Sequence, residues 1–173
     1  MMMSGQFVRD LKAIACAEFG SDGGRQLGRA LLLDAVPILA MTRIRESARR
    51  WRVPLVNRAL RLVQMAVYGV EIGKDVTLGD GVSLVHSLGT VIGGTSQLGK
   101  GVRLMGNNTI GSARDDGCPV LEDKVIVGAG ARVLGPIRVG AGAIIGANAV
   151  VVRDVPAGDV VVGCPARSTR RSE

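Results

Sequence analysis

One imidazole stands in this 173-residue chain: His86, in the segment Leu84-Val85-His86-Ser87-Leu88-Gly89. Imidazole titrates near neutrality. It can take a proton from a hydroxyl as the oxygen attacks an acyl carbon, and return it to a departing thiolate. The oxyanion formed on the way needs donors, which backbone N–H groups in glycine-rich turns can supply. A second group of reactive side chains follows at Asp115, Asp116 and Cys118. Paired carboxylates orient acceptor hydroxyls or work as acid and base; equally, they form a solvated loop tip. Cys118 can line a pocket or relay an acyl group. The three cysteines (Cys16, Cys118, Cys164) are odd in number and lack metal-ligand spacing, so they read as reduced thiols in a cytoplasmic protein. With a single histidine, no metal site is expected.

The elements that must position these residues are written in a repeat. From residue 70 an aliphatic residue recurs at every sixth position, often followed by glycine: Ile72-Gly73, Leu78-Gly79, Leu84; then Ile92-Gly93, Leu98-Gly99, Leu104, Ile110-Gly111; then Val127-Gly128, Val133, Val139-Gly140, Ile145-Gly146, Val151. The phase slips by two between Val85 and Val91, where His86 lies, and breaks again over 112–126. Three short strands and three tight corners close a triangular coil of about 18 residues, each aliphatic residue pointing inward. A coil buries its faces only against its neighbours. The narrow interior explains why all four aromatics (Phe7, Phe19, Trp51, Tyr68) precede residue 69 while 20 of the 25 glycines follow residue 68. A β-sandwich would need longer alternating runs and turns about 8–12 residues apart.

Residues 6–19, 25–50 and 54–67 have helical spacing, with Pro54 suited to a helix start and Pro37 kinking the second segment or dividing it in two. The expected architecture is therefore a helical domain over 1–68, a β-helix over 69–157 with a loop at 112–126, and a tail over 158–173. Residues 1–67 carry 11 basic and 5 acidic side chains; Arg43, Arg45, Arg49, Arg50, Arg52, Arg58 and Arg61 crowd together. They read as a solvated helix face, or as peripheral contact with an anionic membrane. No nucleic-acid recognition motif accompanies them. The longest apolar stretch, 30–41, is too short to span a bilayer, and residues 1–10 lack a secretory h-region.

The array over 70–167 resembles the hexapeptide-repeat acyltransferases, which fold as a left-handed parallel β-helix. The helical part before it resembles the serine acetyltransferase branch and its shorter relatives in exopolysaccharide synthesis. The resemblance makes His86 the base. It implies acetyl-CoA as donor, bordered by Gly111, Ser112, Ala129 and Ala147, with Arg153 or Arg167 toward its 3′-phosphate, and a homotrimer with the donor groove between subunits. The Asp that precedes the family's histidine is Val85 here, and its Arg-His-Pro loop is Gly117-Cys118-Pro119. Those departures, the Cys-Pro loop and Tyr68-Gly69-Val70-Glu71-Ile72 resemble the colanic-acid type of O-acetyltransferase. The expectation is acetyl transfer to a saccharide hydroxyl, with Asp115, Asp116 and Cys118 at the acceptor; serine O-acetylation and a non-catalytic scaffold are the alternatives.

Overall fold

The computed structural model describes residues 2–33, 35–112, 114 and 117–170. Four helices come first: α1 (Met2–Phe19), α2 (Gly24–Ala30), α3 (Ala35–Arg50) and α4 (Pro54–Tyr68). The second helical segment is divided rather than kinked. Pro37 lies in the first turn of α3, where its missing N–H has no intrahelical partner to lose. Gly69, at φ +60°, closes α4 in the left-handed conformation.

The repeat then winds through β1 (Glu71–Ile72), β2 (Thr77–Leu78) and β3 (Ser83–Leu84); β4 (Val91–Ile92), β5 (Gln97–Leu98) and β6 (Arg103–Leu104); β7 (Thr109–Gly111), β8 (Val120–Leu121) and β9 (Ile126–Val127); β10 (Arg132–Leu134), β11 (Arg138–Val139) and β12 (Ile144–Ile145); and finally β13 (Val150–Val151), β14 (Val160–Val162) and β15 (Arg167–Ser168). Three parallel sheets result: face A of β1, β4, β7, β10 and β13; face B of β2, β5, β8 and β11; face C of β3, β6, β9, β12 and β14, with β15 added antiparallel. This is the expected left-handed parallel β-helix with its helical part. Ile72, Ile92, Ile110, Val133 and Val151 stack as one buried inward ladder. Along it the successive spacings are 20, 18, 23 and 18 residues.

The longer spacings mark two insertions. The 20-residue spacing holds the two extra residues around His86. The 23-residue spacing holds five extra residues, all before β8, because Leu121 pairs with Leu98 and Val139 in ordinary register. The loop therefore ends at 119 rather than 126. The solenoid also runs past 157, since Ile144↔Val160 and Ile145↔Val161 are paired. Glycines after inward aliphatics serve close coil approach: a Cβ on Gly128 would lie 2.6 Å from Ala147 N in the next coil.

The crowded arginines hold the helices to the first coil. In this ladder the carbonyl of each inward aliphatic points toward the preceding coil, as in Gly73 N–H to Ile92 O and Gly79 N–H to Leu98 O. The carbonyls of Ile72 and Leu78 have no preceding coil and would be orphaned. Arg45 donates to Ile72 O (2.8 Å), and Arg43 to Leu78 O and Gly79 O (2.9 Å each). Both side chains are buried, 4% exposed. Arg43 also meets Asp10 (3.0 Å), whose carboxylate accepts the Gly81 N–H. Burial pulls the Arg43 pKa down, but the hydrogen bonds and charge of Asp10, with those of Glu46, leave it raised; Arg45 is lowered by burial and by the nearby Arg61. Arg49 binds Lys74 O and Asp75, and Arg61 binds Glu71. Arg43 and Arg45 are thus buried against the first coil rather than part of a solvated face, while Arg49 and Arg61 reach that coil from half-exposed positions.

Candidate active site

His86 stands on the two-residue excursion between β3 and β4, with its side chain exposed. The excursion is pinned from both sides. Ser87 Oγ donates to Tyr68 O (3.0 Å) and Gly89 N–H to Gly69 O (3.0 Å), while Leu88 O accepts from Asn107 N–H (3.0 Å). Beneath it lies Gly106 at φ +114°, where a Cβ would fall 2.8 Å from His86 O and 2.9 Å from His86 Cβ. Gly106→Ala is expected to displace His86 and to lower turnover, at a strain of about 1–3 kcal/mol. Kinetics with a thermal melt check this; unchanged turnover would show that the backbone under His86 does not fix the base.

A cleft of about 310 Å³ opens beside His86. Its walls are Ser83, Leu84, Val85 and His86 of the β-helix, Leu32, Leu33 and Ala35 from the α2–α3 junction, and Glu18 of α1. Glu18 is held by Arg103 of β6, 2.7 Å away, and the Arg103 Nε is buried without a partner among the described residues. The ring that can remove a proton thus borders the same open cleft as a carboxylate, which Arg103 holds from outside the lining. Neither Glu18 nor Arg103 is legible as a site residue from the sequence: no spacing links an α1 residue to His86. The helical periodicity of 6–19 is the only signal Glu18 leaves, and Arg103 reads only as an outward position beside Leu104 of the repeat.

The other expected residues fall on two corners of the prism. The corner joining faces C and A carries His86, Gly106, Ala129 and Ala147 in successive coils, tied by Gly130 N–H to Gly106 O and Asn148 N–H to Ala129 O (2.9 Å each). Ala129 and Ala147 are not buried there. The corner joining faces A and B carries Gly111, Ser112, Cys118 and Arg153. Cys118 is half-buried over Gly94, and its Sγ lies 3.4 Å from Thr95 N. Ser112 Oγ is buried with no partner among the described residues. Arg153 and Arg167 line one cleft of about 220 Å³ near the end of the prism. Asp115 and Asp116 lie outside the described residues. A single copy therefore brings His86 together with Ala129 and Ala147, and places Cys118 and Ser112 across face A from them.

Known proteins match this chain as follows. A family model described as bacterial transferase hexapeptide (six repeats) covers residues 118–153. A serine acetyltransferase of Synechococcus elongatus is 41% identical over 70% of this chain and 51% of its own length. One from Helicobacter pylori is 36% identical over 80% of this chain and 82% of its own. The chain thus spans about half the length of the first relative and most of the second. The crystal structure of Neisseria gonorrhoeae serine acetyltransferase in complex with serine superposes with a TM-score of 0.84 at 33% identity, over 96% of this chain and 68% of that one. A serine acetyltransferase complex with CoA gives 0.86 at 27% identity, over 96% and 69%. These matches overturn the saccharide acceptor and do not support closeness to the colanic-acid type. The expectation rested on two positions, Val85 and Cys118, which stand where the family's Asp and loop His would be. By identity and coverage, the chain belongs to the serine acetyltransferase family of hexapeptide-repeat acyltransferases.

Proposed function

We propose that the protein is a serine O-acetyltransferase using acetyl-CoA. The observation that carries this is the cleft shared by His86 and Glu18. Serine brings a hydroxyl, which needs a base, and an ammonium, which needs a carboxylate. His86 removes the hydroxyl proton as the serine oxygen attacks the thioester carbonyl. The C–O bond forms, the C–S bond breaks, and the proton passes from His86 to the CoA thiolate. No acetyl-enzyme is required, so Cys118 acts as a wall rather than a nucleophile.

The donor fits the residues present. Ala129 and Ala147 leave the corner open for a narrow pantetheine arm. The Ser112 hydroxyl, without a partner among the described residues, suits a polar group such as an amide. Arg153 and Arg167 share a cleft suited to a phosphate. Because His86 and Ser112 lie on opposite corners of face A, a complete site joins one corner to the other corner of a second copy. Such a head-to-tail contact closes into a ring, and a homotrimer is the ring that the family resemblance implies.

Release of CoA, followed with a thiol reagent across a panel of hydroxyl acceptors, tests the reading. L-serine should give the fastest release. Release no faster than acetyl-CoA hydrolysis, or faster with another acceptor, would refute it. Glu18→Gln should raise the KM for serine about 10–100-fold, the loss expected for one charge-assisted hydrogen bond. The kcat and the KM for acetyl-CoA should change little. An unchanged serine KM with a lowered melting temperature would make Glu18 a clamp on Arg103 alone.

A further inference from the structure

One position inside the prism recurs in each coil, at the corner joining faces C and A. Thr90, Asn108, Ala131 and Ala149 each precede a face A strand in register, and each is 0% exposed. Two of the coils place only a methyl group there, so packing does not call for an amide. An amide buried without partners would cost stability. Asn108 is partnered: its Oδ1 accepts the Gly106 N–H (3.0 Å), and its Nδ2 donates to Gly128 O (2.7 Å).

These bonds replace a turn that the other coils make with main chain alone. Thr90 N–H donates to Ser87 O, Ala131 N–H to Gly128 O and Ala149 N–H to Gly146 O, each at 3.2 Å. Among the described residues the equivalent bond, from Asn108 N–H to Met105 O, is not made. The backbone differs to match. Gly106 has φ +114°, whereas its counterparts in the next two coils, Ala129 and Ala147, do not have positive φ. This unusual corner is the one on which the His86 excursion rests. Gly106 lies against His86 O and Cβ, and the next N–H, that of Asn107, holds Leu88 O (3.0 Å). Without the amide, Gly106 N–H loses its partner and the corner is free to take the turn of its neighbours. The Met105–Gly106 peptide then reorients, and the floor under His86 moves with it.

We propose that Asn108 is a positioning residue for the base: its carboxamide locks the Gly106 corner and so sets where the His86 ring stands. The proposal rests on the role given to His86 above. Two variants of the full chain test it, Asn108→Ala and Asn108→Thr, each installing a residue that another coil already carries at this position. Both should lower kcat with L-serine about 10–100-fold, the usual cost of displacing a reacting group by about 1 Å. The KM for serine and the KM for acetyl-CoA should stay near wild type. Thr90→Ala is the control. Thr90 is nearer to His86 in the chain and equally buried, but its Oγ1 has no partner among the described residues, so its loss should leave kcat near wild type. Because His86 is the only histidine, its Cε1–H signal in nuclear magnetic resonance reads that ring alone. In both Asn108 variants the signal should move as a single resonance, and farther than in Thr90→Ala. An unmoved signal with only a lower melting temperature would make Asn108 a brace of the fold and overturn the proposal. A fall in kcat for Thr90→Ala as large as that for Asn108→Ala would overturn it as well. If wild type did not acetylate serine, the reaction proposed above would fall, while the histidine signal would still decide the role of Asn108.

Discussion

Replacing His86 by alanine lowers kcat with L-serine by about 10²–10⁴-fold, the contribution of a positioned general base. The loss falls on chemistry and not on folding. His86 is exposed, and its excursion is held by main-chain atoms of Gly69, Leu88, Gly89 and Asn107 and by the Ser87 hydroxyl, none of which the substitution touches. Circular dichroism, melting temperature and the KM for acetyl-CoA should therefore stay near wild type. Because the chain has one histidine, no second imidazole can take over. A variant retaining turnover within a fewfold of wild type would show that another group removes the proton.

Replacing Arg43 by methionine costs about 3–5 kcal/mol of stability, the usual result of removing one partner from a buried ion pair. In the variant Asp10, 1% exposed, keeps the Gly81 N–H but loses both guanidinium bonds. Leu78 O and Gly79 O lose their donor at the same time. For a chain of this size the melting temperature falls by roughly 6–20 °C. Asp10→Asn in the same background should recover part of the loss, because the uncompensated charge is then gone. A change below about 1 kcal/mol would mean that these carbonyls find water and that the helices are held by apolar packing alone.

The fold was legible because its core is one-dimensional: an inward aliphatic every sixth residue announces each side of the prism. Legibility failed where the code lapses. Leu121 is followed by Glu122 instead of glycine, which hid β8 and stretched the apparent loop to 126. Between Val151 and Val155 two residues are missing from the period, which hid the continuation into β14. His86 was legible for the complementary reason, since two extra residues must leave the ladder. Arg43 and Arg45 were misread, because burial of a guanidinium depends on orphaned carbonyls that exist only once the first coil has folded. The acceptor was misread for a similar reason. Glu18 and His86 share a cleft only once the helices are docked on that coil, where Arg43, Arg45 and Arg49 bind them to it.

The meeting of serine and imidazole in that cleft is best tested by a crystal structure of the full chain with L-serine and CoA. The account predicts the serine hydroxyl about 2.6–3.2 Å from a ring nitrogen of His86, with the ammonium on Glu18. Serine bound on face A, or at any place beyond hydrogen-bond reach of His86, would contradict it.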